Sequence, residues 1–127
     1  MIALIVFCGA CQHSAEVSMK DPLESGRGFI ESSLKGDYDQ AQKYLYQDSM
    51  NMEYFNGLKD FNRKQSKAEK EGYENANILI DSTQQLSDSV SIITYSNTYK
   101  NKPSKLRMVK KGNQWLVDFK YTFNSNL

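Results

Sequence analysis

Hydrophobic and polar residues alternate along the C-terminal part of the chain, residues 104–123. A period of two places one set of side chains on a core and the other in water, as in a half-buried β-strand. Leu106 and Met108 begin the apolar set, and Gly112 supplies a turn that tolerates positive φ. After the turn, Asp118 and Lys120 are predicted in water. The core face of the second run carries Trp115, Val117, Phe119, Tyr121 and Phe123. The pattern predicts a long antiparallel hairpin with one covered face.

Two helix starts lie at the beginning of the predicted folded part. Asp21 occupies an N-cap position, Pro22 the first helical position and Glu24 the third, and these are three agreeing start signals. Gly36 is predicted to end this helix, because glycine readily adopts the left-handed conformation of a C-terminal cap. Asp37 begins a second, short helix in the same way. The pattern predicts two consecutive helices before the strands.

A third helix is predicted from Ser49, past Lys67, to Gly72. Apolar residues recur at helical spacing in its first part, which predicts a buried stripe. The predicted inward face carries Met50, Tyr54, Leu58 and Phe61. Residues 64–71 are almost wholly polar and are expected to be exposed.

The hydrophobic period changes from helical to strand-like after residue 73. Residues 76–81 alternate, and residues 90–99 are rich in β-branched and aromatic types that favour strands. The apolar residues change face near Ile92, which predicts a β-bulge there. Residues 100–103 then turn into the terminal hairpin. Helices followed by a four-stranded antiparallel meander predict an α+β fold with the helices on one face of a curved sheet.

The first segment, MIALIVFCGACQ, predicts where in the cell the protein is located. Its apolar run is far shorter than the ~20 residues that span a bilayer, and small residues follow it, as in a signal peptide. Cys8-Gly9-Ala10-Cys11 resembles a bacterial lipobox, at which a signal peptidase cuts before a lipidated cysteine. On this interpretation residues 1–10 are the signal peptide, Cys11 is acylated, residues 11–21 form a polar tether and residues 22–127 form the domain.

Two features of this segment differ from the usual lipobox. Cys8 stands where leucine is usual, and no Lys or Arg precedes the apolar run. The true start is therefore expected upstream of Met1. The alternative is an apolar N-terminus that packs on the domain.

Length and charge limit the classes of function. The chain has 127 residues, enough for one hydrophobic core. Its formal net charge is +1, with both signs interspersed. This balance gives no indication of nucleic-acid binding, which a strongly basic chain would indicate.

Three motifs, with the lipobox, carry a resemblance to a known family. They are D-P-x-E at residues 21–24, G-D-Y-x-x-A at residues 36–41 and K-K-G-N-Q-W-L-V-D at residues 110–118. With them the chain resembles a family of bacterial lipoproteins, a domain of unknown function with a cystatin-like or nuclear-transport-factor-2-like fold. The resemblance implies a cone formed by a bent sheet around the first helix, often enclosing a pocket. It implies a shape and not an activity.

Residues suited to catalysis are scarce. His13 is the only histidine, and it lies in the predicted tether, outside the domain where a general base or zinc ligand is needed. Fold relatives that isomerise or dehydrate use an acid inside the cone, but alternation places Asp118 and Asp81 outside the core. The sequence therefore predicts no catalytic residue, no cofactor and no metal site.

Aromatic residues are the candidates for a pocket inside the cone. Aromatic walls with a few hydroxyl groups suit small ligands, although a tyrosine at the core edge with its hydroxyl in water is the commoner arrangement. The candidate lining residues are Phe29, Tyr38, Tyr44, Tyr95, Trp115, Phe119 and Tyr121.

Three further patterns remain. Gly26-Arg27-Gly28 lacks the preceding strand and the Lys-Ser/Thr of a phosphate loop, so we expect it to permit close helix packing. Ser49, Ser82 and Ser89 follow aspartates, as in some envelope O-glycosylation sites. The last pattern is a set of cationic residues on the predicted outer face of the hairpin. These side chains could bind anionic lipid or glycan, or they could simply be solvated. The set is Lys100, Lys102, Lys105, Arg107, Lys110, Lys111 and Lys120.

The sequence thus predicts a non-enzymatic, lipid-anchored protein of the bacterial cell envelope, on the periplasmic or surface side of a membrane. Its partners are predicted to be the membrane, through Cys11, and an envelope protein or a small ligand. A ligand carrier or an isomerase- or dehydratase-like enzyme using the cone pocket is the alternative. A structural accessory subunit is the third class.

Overall fold

A computed structural model describes residues 18–123. Cys11, His13 and the predicted signal peptide lie outside these residues. No helix within 18–123 is long and apolar enough to cross a membrane. Four helices precede four strands, and a 3₁₀ helix follows at Phe119–Phe123. The elements are α1 (Pro22–Leu34), α2 (Tyr38–Gln42), α3 (Ser49–Arg63), α4 (Lys67–Glu74), β1 (Ile78–Ser87), β2 (Val90–Asn97), β3 (Ser104–Lys111) and β4 (Gln114–Val117).

The first two helices begin where the sequence predicts. The carboxylate of Asp21 accepts a hydrogen bond from the backbone N–H of Leu23 at 2.8 Å. The carboxylate of Asp37 does the same for the N–H of Gln40 at 3.2 Å. Gly36 lies between the helices with a φ of +72°. The predicted caps and the predicted glycine stop are therefore confirmed.

The predicted third helix is two helices, so its prediction as one element was wrong. The chain breaks at Ser66, whose hydroxyl accepts from the N–H of Glu69 at 3.2 Å and caps α4. Gly72 lies inside α4 and does not end it. A Cβ on Gly72 would lie 2.4 Å from the ring of Tyr99, so this glycine permits a close approach between α4 and that ring.

The predicted inward face of α3 was also largely wrong. Asn51 and Phe55 are fully buried, and Leu58 alone of the predicted four packs partly against the core. Asn51 is held inside the domain by hydrogen bonds described below. The face of α3 that is buried is therefore displaced by about one residue from its most apolar face. The exposed members of the predicted stripe are Met50, Tyr54 and Phe61.

The strands form an antiparallel meander in the order β1-β2-β3-β4, which confirms the predicted α+β architecture. The predicted bulge near Ile92 was misplaced, because β2 pairs with β3 without interruption. The register shifts lie in β1, the first of them between Ile80 and Ser82. Ile92 and Ile93 point to opposite faces and both are buried. Two-sided burial, and not a bulge, explains this apolar pair.

The final strand is shorter than predicted. β4 ends at Val117, and the residues from Phe119 onward form the 3₁₀ helix. Asp118, predicted in water, is only 5 % exposed. Its N–H donates to the carbonyl of Arg107 at 2.9 Å, and its carboxylate has cationic and amide partners. The backbone of Asp118 thus still bonds to β3, while its side chain is held inside by polar partners.

The outer edge of β4 is closed by the N-terminal half of the chain. The N–H of Trp115 donates to the carbonyl of Met19 at 2.7 Å, and the hydroxyl of Ser25 donates to the carbonyl of Trp115 at 2.6 Å. Val117 exchanges two hydrogen bonds, of 2.8 and 2.9 Å, with the segment 44–46. β1 is the opposite edge of the sheet, and its residues 81–87 are exposed.

The core lies between the helices and one face of the sheet, and α1 packs against all four strands. Aromatic rings occupy its centre, with centroid distances of 5.4 Å for Phe29–Phe119 and 6.2 Å for Phe29–Phe55. The buried core residues are Phe29, Ile30, Ala41, Tyr44, Leu45, Phe55, Ile93, Leu106, Met108, Trp115, Val117 and Phe119.

The glycines of α1 allow the helix to pack closely, as predicted. A Cβ on Gly26 would lie 2.5 Å from Cδ1 of Ile93, and one on Gly28 would lie 2.4 Å from the ring of Tyr44. Both partner side chains are buried and have little room to move.

We expect Gly28→Ala to destabilise the domain by about 1–3 kcal/mol, because overpacking outweighs the higher helix propensity of alanine. Gly57→Ala, inside α3 with nothing within 4 Å of its Cβ, is the matched control. The control is expected to stabilise the domain by about 0.5–1 kcal/mol. Urea denaturation of both variants measures the difference, and a stabilising Gly28→Ala would contradict the packing described here.

Candidate functional site

A cavity of about 240 Å³ opens at the end of α1. Its walls come from the C-terminal halves of α1 and α3, from the start of α2, from α4, from β2 and β3, and from the 3₁₀ helix. Most of the lining is apolar, with Leu34, Leu58 and Phe61 beside polar groups of Asn97 and Ser104. An apolar pocket with a few convergent polar groups is typical of a small-molecule site. A cavity of this volume has room for a ligand with on the order of ten non-hydrogen atoms.

The predicted pocket residues divide into two groups. The residues that line the cavity are Phe29, Tyr38, Tyr95 and Phe119. Tyr44 and Trp115 are instead buried in the core. The ring of Tyr121 lies under the guanidinium of Arg107, 4.1 Å from its Cζ, away from the cavity. The aromatic core and the cavity therefore share one cluster of rings. The sequence alone does not show which of these aromatic residues line the cavity and which are buried in the core.

The two cavity tyrosines are hydrogen-bond donors at neutral pH. Burial raises the pKa of Tyr38 to about 12 and the pKa of Tyr95 to about 12. A phenol with this pKa stays protonated through the physiological range, so it can donate to a ligand but cannot act as a base.

Two buried hydroxyl groups also line the cavity. Ser33 Oγ and Thr122 Oγ1 are shielded from solvent and have no hydrogen-bond partner among residues 18–123. An unpaired buried polar group costs about 1–3 kcal/mol, so such groups are paired in most folded proteins. A bound ligand with a polar group could supply the missing partners.

The charged side chain that lines the cavity is positive. Lys102 is exposed and lines the cavity, whereas no Asp, Glu, His or Cys is among the lining residues of the cavity. Elsewhere in residues 18–123 there is no group of three or more His, Cys, Asp or Glu side chains that could hold a metal ion. The cavity therefore offers donors and one positive charge, which suit an anionic or carbonyl-bearing ligand.

A second polar site, the polar cluster, consists of Asp48, Asn51, Asp118 and Lys120. Asn51 is fully buried, and its amide donates to Asp118 at 3.0 Å and accepts from the backbone N–H of Lys120 at 2.7 Å. Lys120 Nζ lies 2.8 Å from both Asp48 and Asp118. The cluster joins the start of α3 to the 3₁₀ helix and the residue before it.

The ion pairs of the polar cluster change two pKa values. The hydrogen bond from Lys120 is the main cause that lowers the pKa of Asp48. Burial by itself would lower the pKa of Lys120, but the hydrogen bonds to Asp118 and Asp48 outweigh this effect and raise it. Asp48 and Lys120 are therefore both charged at neutral pH.

The remaining sequence candidates lie apart from both sites. Asp81 is exposed on β1, and the proposed glycosylation serines, Ser49, Ser82 and Ser89, are exposed as well. Exposure is compatible with modification, which stays a prediction. The cationic set is divided, because Lys120 belongs to the polar cluster and Lys100 Nζ lies 4.9 Å above the ring of Tyr99.

Several site residues carried little signal in the sequence. Ser33 and Thr122 are ordinary surface types. Asn51 disfavours a helix interior, and this was the available sign that it has a specific structural role.

In overall structure the chain is similar to an NTF-2-like protein of unknown function from Shewanella oneidensis MR-1, with a TM-score of 0.52 and 14 % sequence identity. The similarity covers 75 % of this chain and 89 % of that one. The fold is NTF-2-like. At this identity the likeness to the NTF-2-like protein shows the fold alone. No family model and no curated protein matches the chain.

We expect Asn51→Ala to cost about 3 kcal/mol of unfolding free energy, because it leaves the N–H of Lys120 without its buried acceptor and removes the amide that donates to Asp118 and to the carbonyl of Tyr46. Asn56→Ala, at an exposed position of the same helix, is the control and is expected to change stability by less than about 0.5 kcal/mol. Urea denaturation measures both. Equal effects of the two substitutions would contradict the structural role of Asn51.

The lowered pKa of Asp48 predicts a pH effect with a defined sign. A carboxylate with a depressed folded-state pKa contributes stability above its unfolded value, 3.8, and loses it as the pH falls through the folded pKa. Asp48→Asn is therefore expected to reduce the loss of stability between pH 5 and pH 2 (roughly the acid titration range). Asp81→Asn, at an exposed position, should leave the loss unchanged. Unfolding midpoints at both pH values measure the effect, and an unchanged pH dependence in Asp48→Asn would contradict the ion pair.

Proposed function

We propose that this protein is a lipid-anchored cell-envelope protein whose NTF-2-like domain binds a small ligand in the cavity and does not catalyse a reaction. The observation that carries the ligand proposal is the pair of unpartnered buried hydroxyls, Ser33 and Thr122, in a mostly apolar cavity. The ligand class is a small molecule with an apolar body and an anionic or carbonyl group.

Each part of this ligand matches a part of the cavity. Phe29, Leu34 and Leu58 offer apolar contact. The protonated hydroxyls of Tyr38 and Tyr95 can donate hydrogen bonds. An anionic group is attracted by the ammonium of Lys102 and faces no carboxylate in the lining.

A binding role has more support than the enzymatic alternative. An isomerase or dehydratase of this fold needs a base or acid beside the substrate, and neither a carboxylate nor an imidazole lines the cavity. A purely structural subunit would have no use for an open cavity with unpaired donors.

The lipid anchor is supported by the Cys8–Cys11 motif and by the direction of the chain. Met19 lies against Trp115, at the end of the sheet that holds the β3–β4 turn. The β2–β3 connection, with Lys102, lies at the opposite end, where α1 finishes at the cavity. An anchor at Cys11 would therefore leave the mouth of the cavity accessible.

The first test is ligand binding by the full chain, measured by thermal shift and by NMR with a panel of aromatic and short aliphatic carboxylates. We expect Ser33→Leu, which fills the cavity from a helix, to abolish binding. Lys102→Glu is expected to weaken it about 10-fold, a loss of about 1.4 kcal/mol. Lys67→Glu on α4 is the charge control. Binding that none of these substitutions changes would contradict the cavity as the site.

The second test is acylation of Cys11. Expression in a bacterial host with labelled palmitate, followed by intact-mass measurement, is expected to show labelled protein that starts at Cys11. Cys11→Ser should carry no label, and Cys8→Ser is the matched control that keeps it. Label retained by Cys11→Ser would contradict the lipobox interpretation.

A further inference from the structure

A second groove, with a volume of about 380 Å³, lies on the face of the sheet opposite the core. We call it the basic groove. Its lining includes the four cations Arg107, Lys110, Lys111 and Lys120 and the two acids Asp48 and Asp118, which leaves a local excess of positive charge.

The two acids are already engaged by the polar cluster. Lys120 Nζ lies 2.8 Å from Asp48 and from Asp118, and Arg107 Nε lies 4.0 Å from Asp118. Arg107 Nε has no hydrogen-bond partner among residues 18–123. The two carboxylates therefore compensate the charges of Lys120 and Arg107, and no carboxylate of the groove remains for the other two lysines.

The uncompensated charge is that of Lys110 and Lys111. Both are exposed, and neither has a carboxylate within ion-pair distance among the described residues 18–123. Lys111 Nζ lies 4.8 Å above the ring of Tyr46, which places its ammonium over the groove wall. An anion that entered the groove would meet Lys111 first, whereas Lys110, opposite Trp115 in the register, presents its side chain on the other face of β3.

The groove lies beside the point where the N-terminal segment joins the domain. Lys110 pairs with Trp115 in the β3–β4 register, and the N–H of Trp115 binds the carbonyl of Met19. Eight peptide bonds separate Cys11 from Met19 in the sequence, so the two residues cannot lie more than roughly 29 Å apart. A lipid on Cys11 would keep the groove near the bilayer surface at a high effective concentration.

We propose that the basic groove binds the anionic headgroups of phospholipids in the membrane that holds the anchor, a proposal that rests on the lipid anchoring proposed above. The β3–β4 turn then faces the bilayer, and the ligand cavity opens away from it. Each basic side chain near an anionic surface strengthens binding by on the order of fivefold.

The experiment measures flotation of the full-length, unlipidated Cys11→Ser chain with two vesicle types. One contains phosphatidylglycerol and phosphatidylcholine, and the other phosphatidylcholine alone. Any binding by the apolar N-terminal segment is common to all variants, so the readout is the part of binding that requires phosphatidylglycerol. Lys110→Glu/Lys111→Glu is expected to reduce it at least about 25-fold. Lys67→Glu/Lys70→Glu on α4 changes the net charge equally and is expected to retain most of it.

Three results would overturn the proposal. They are equal binding to both vesicle types, an equal loss in the two charge variants, and displacement by millimolar glycerol 3-phosphate, which would assign the groove to a soluble phosphate compound. Carboxylate binding in the cavity and palmitate labelling of Cys11 are measured separately. Failure of the headgroup proposal is therefore distinct from failure of the proposed function.

Discussion

The hydrogen bonds on the outer edge of β4 are the constraint on which the rest of the structure depends. β4 has only four residues, and pairing with β3 alone would leave its other backbone groups unsatisfied. Met19, Ser25 and the segment 44–46 supply these partners. Because buried backbone groups must be paired, α1 and the segment after α2 are both positioned by this one strand. The rest of the core then forms beneath α1.

The polar cluster extends this constraint to the 3₁₀ helix. A strand that continued past Val117 would carry Asp118 into water, as simple alternation predicts. Instead, Asn51 and Lys120 hold Asp118 inside, and the chain turns into the 3₁₀ helix. That turn brings Phe119 into the core and Thr122 to the cavity. The shape of the cavity thus depends on an interaction that is remote from it.

Local signals in the sequence were sufficient for the starts of α1, α2 and α3, the strand order and the α+β architecture, although the cap of α4 at Ser66 was missed. They failed wherever a distant partner decides the outcome. The stripe of Met50, Tyr54 and Phe61 is the more apolar face of α3, yet buried hydrogen bonds of Asn51 turn it outward. Asp118 was misplaced for the same reason. Part of the cavity was predicted, because Tyr38 and Tyr95 are aromatic, whereas the unpaired hydroxyls of Ser33 and Thr122 are visible only in three dimensions.

The two edges of the sheet differ, and this limits how copies of the protein could associate. An extended strand can add to an edge only where backbone groups are unpaired. The β4 edge is occupied by the protein's own chain, so β1 is the one edge of the described sheet open to strand addition. Two copies that joined through β1 would form a closed, two-fold pair whose outer edges are both covered. Edge-to-edge pairing through the described sheet would therefore end at a dimer.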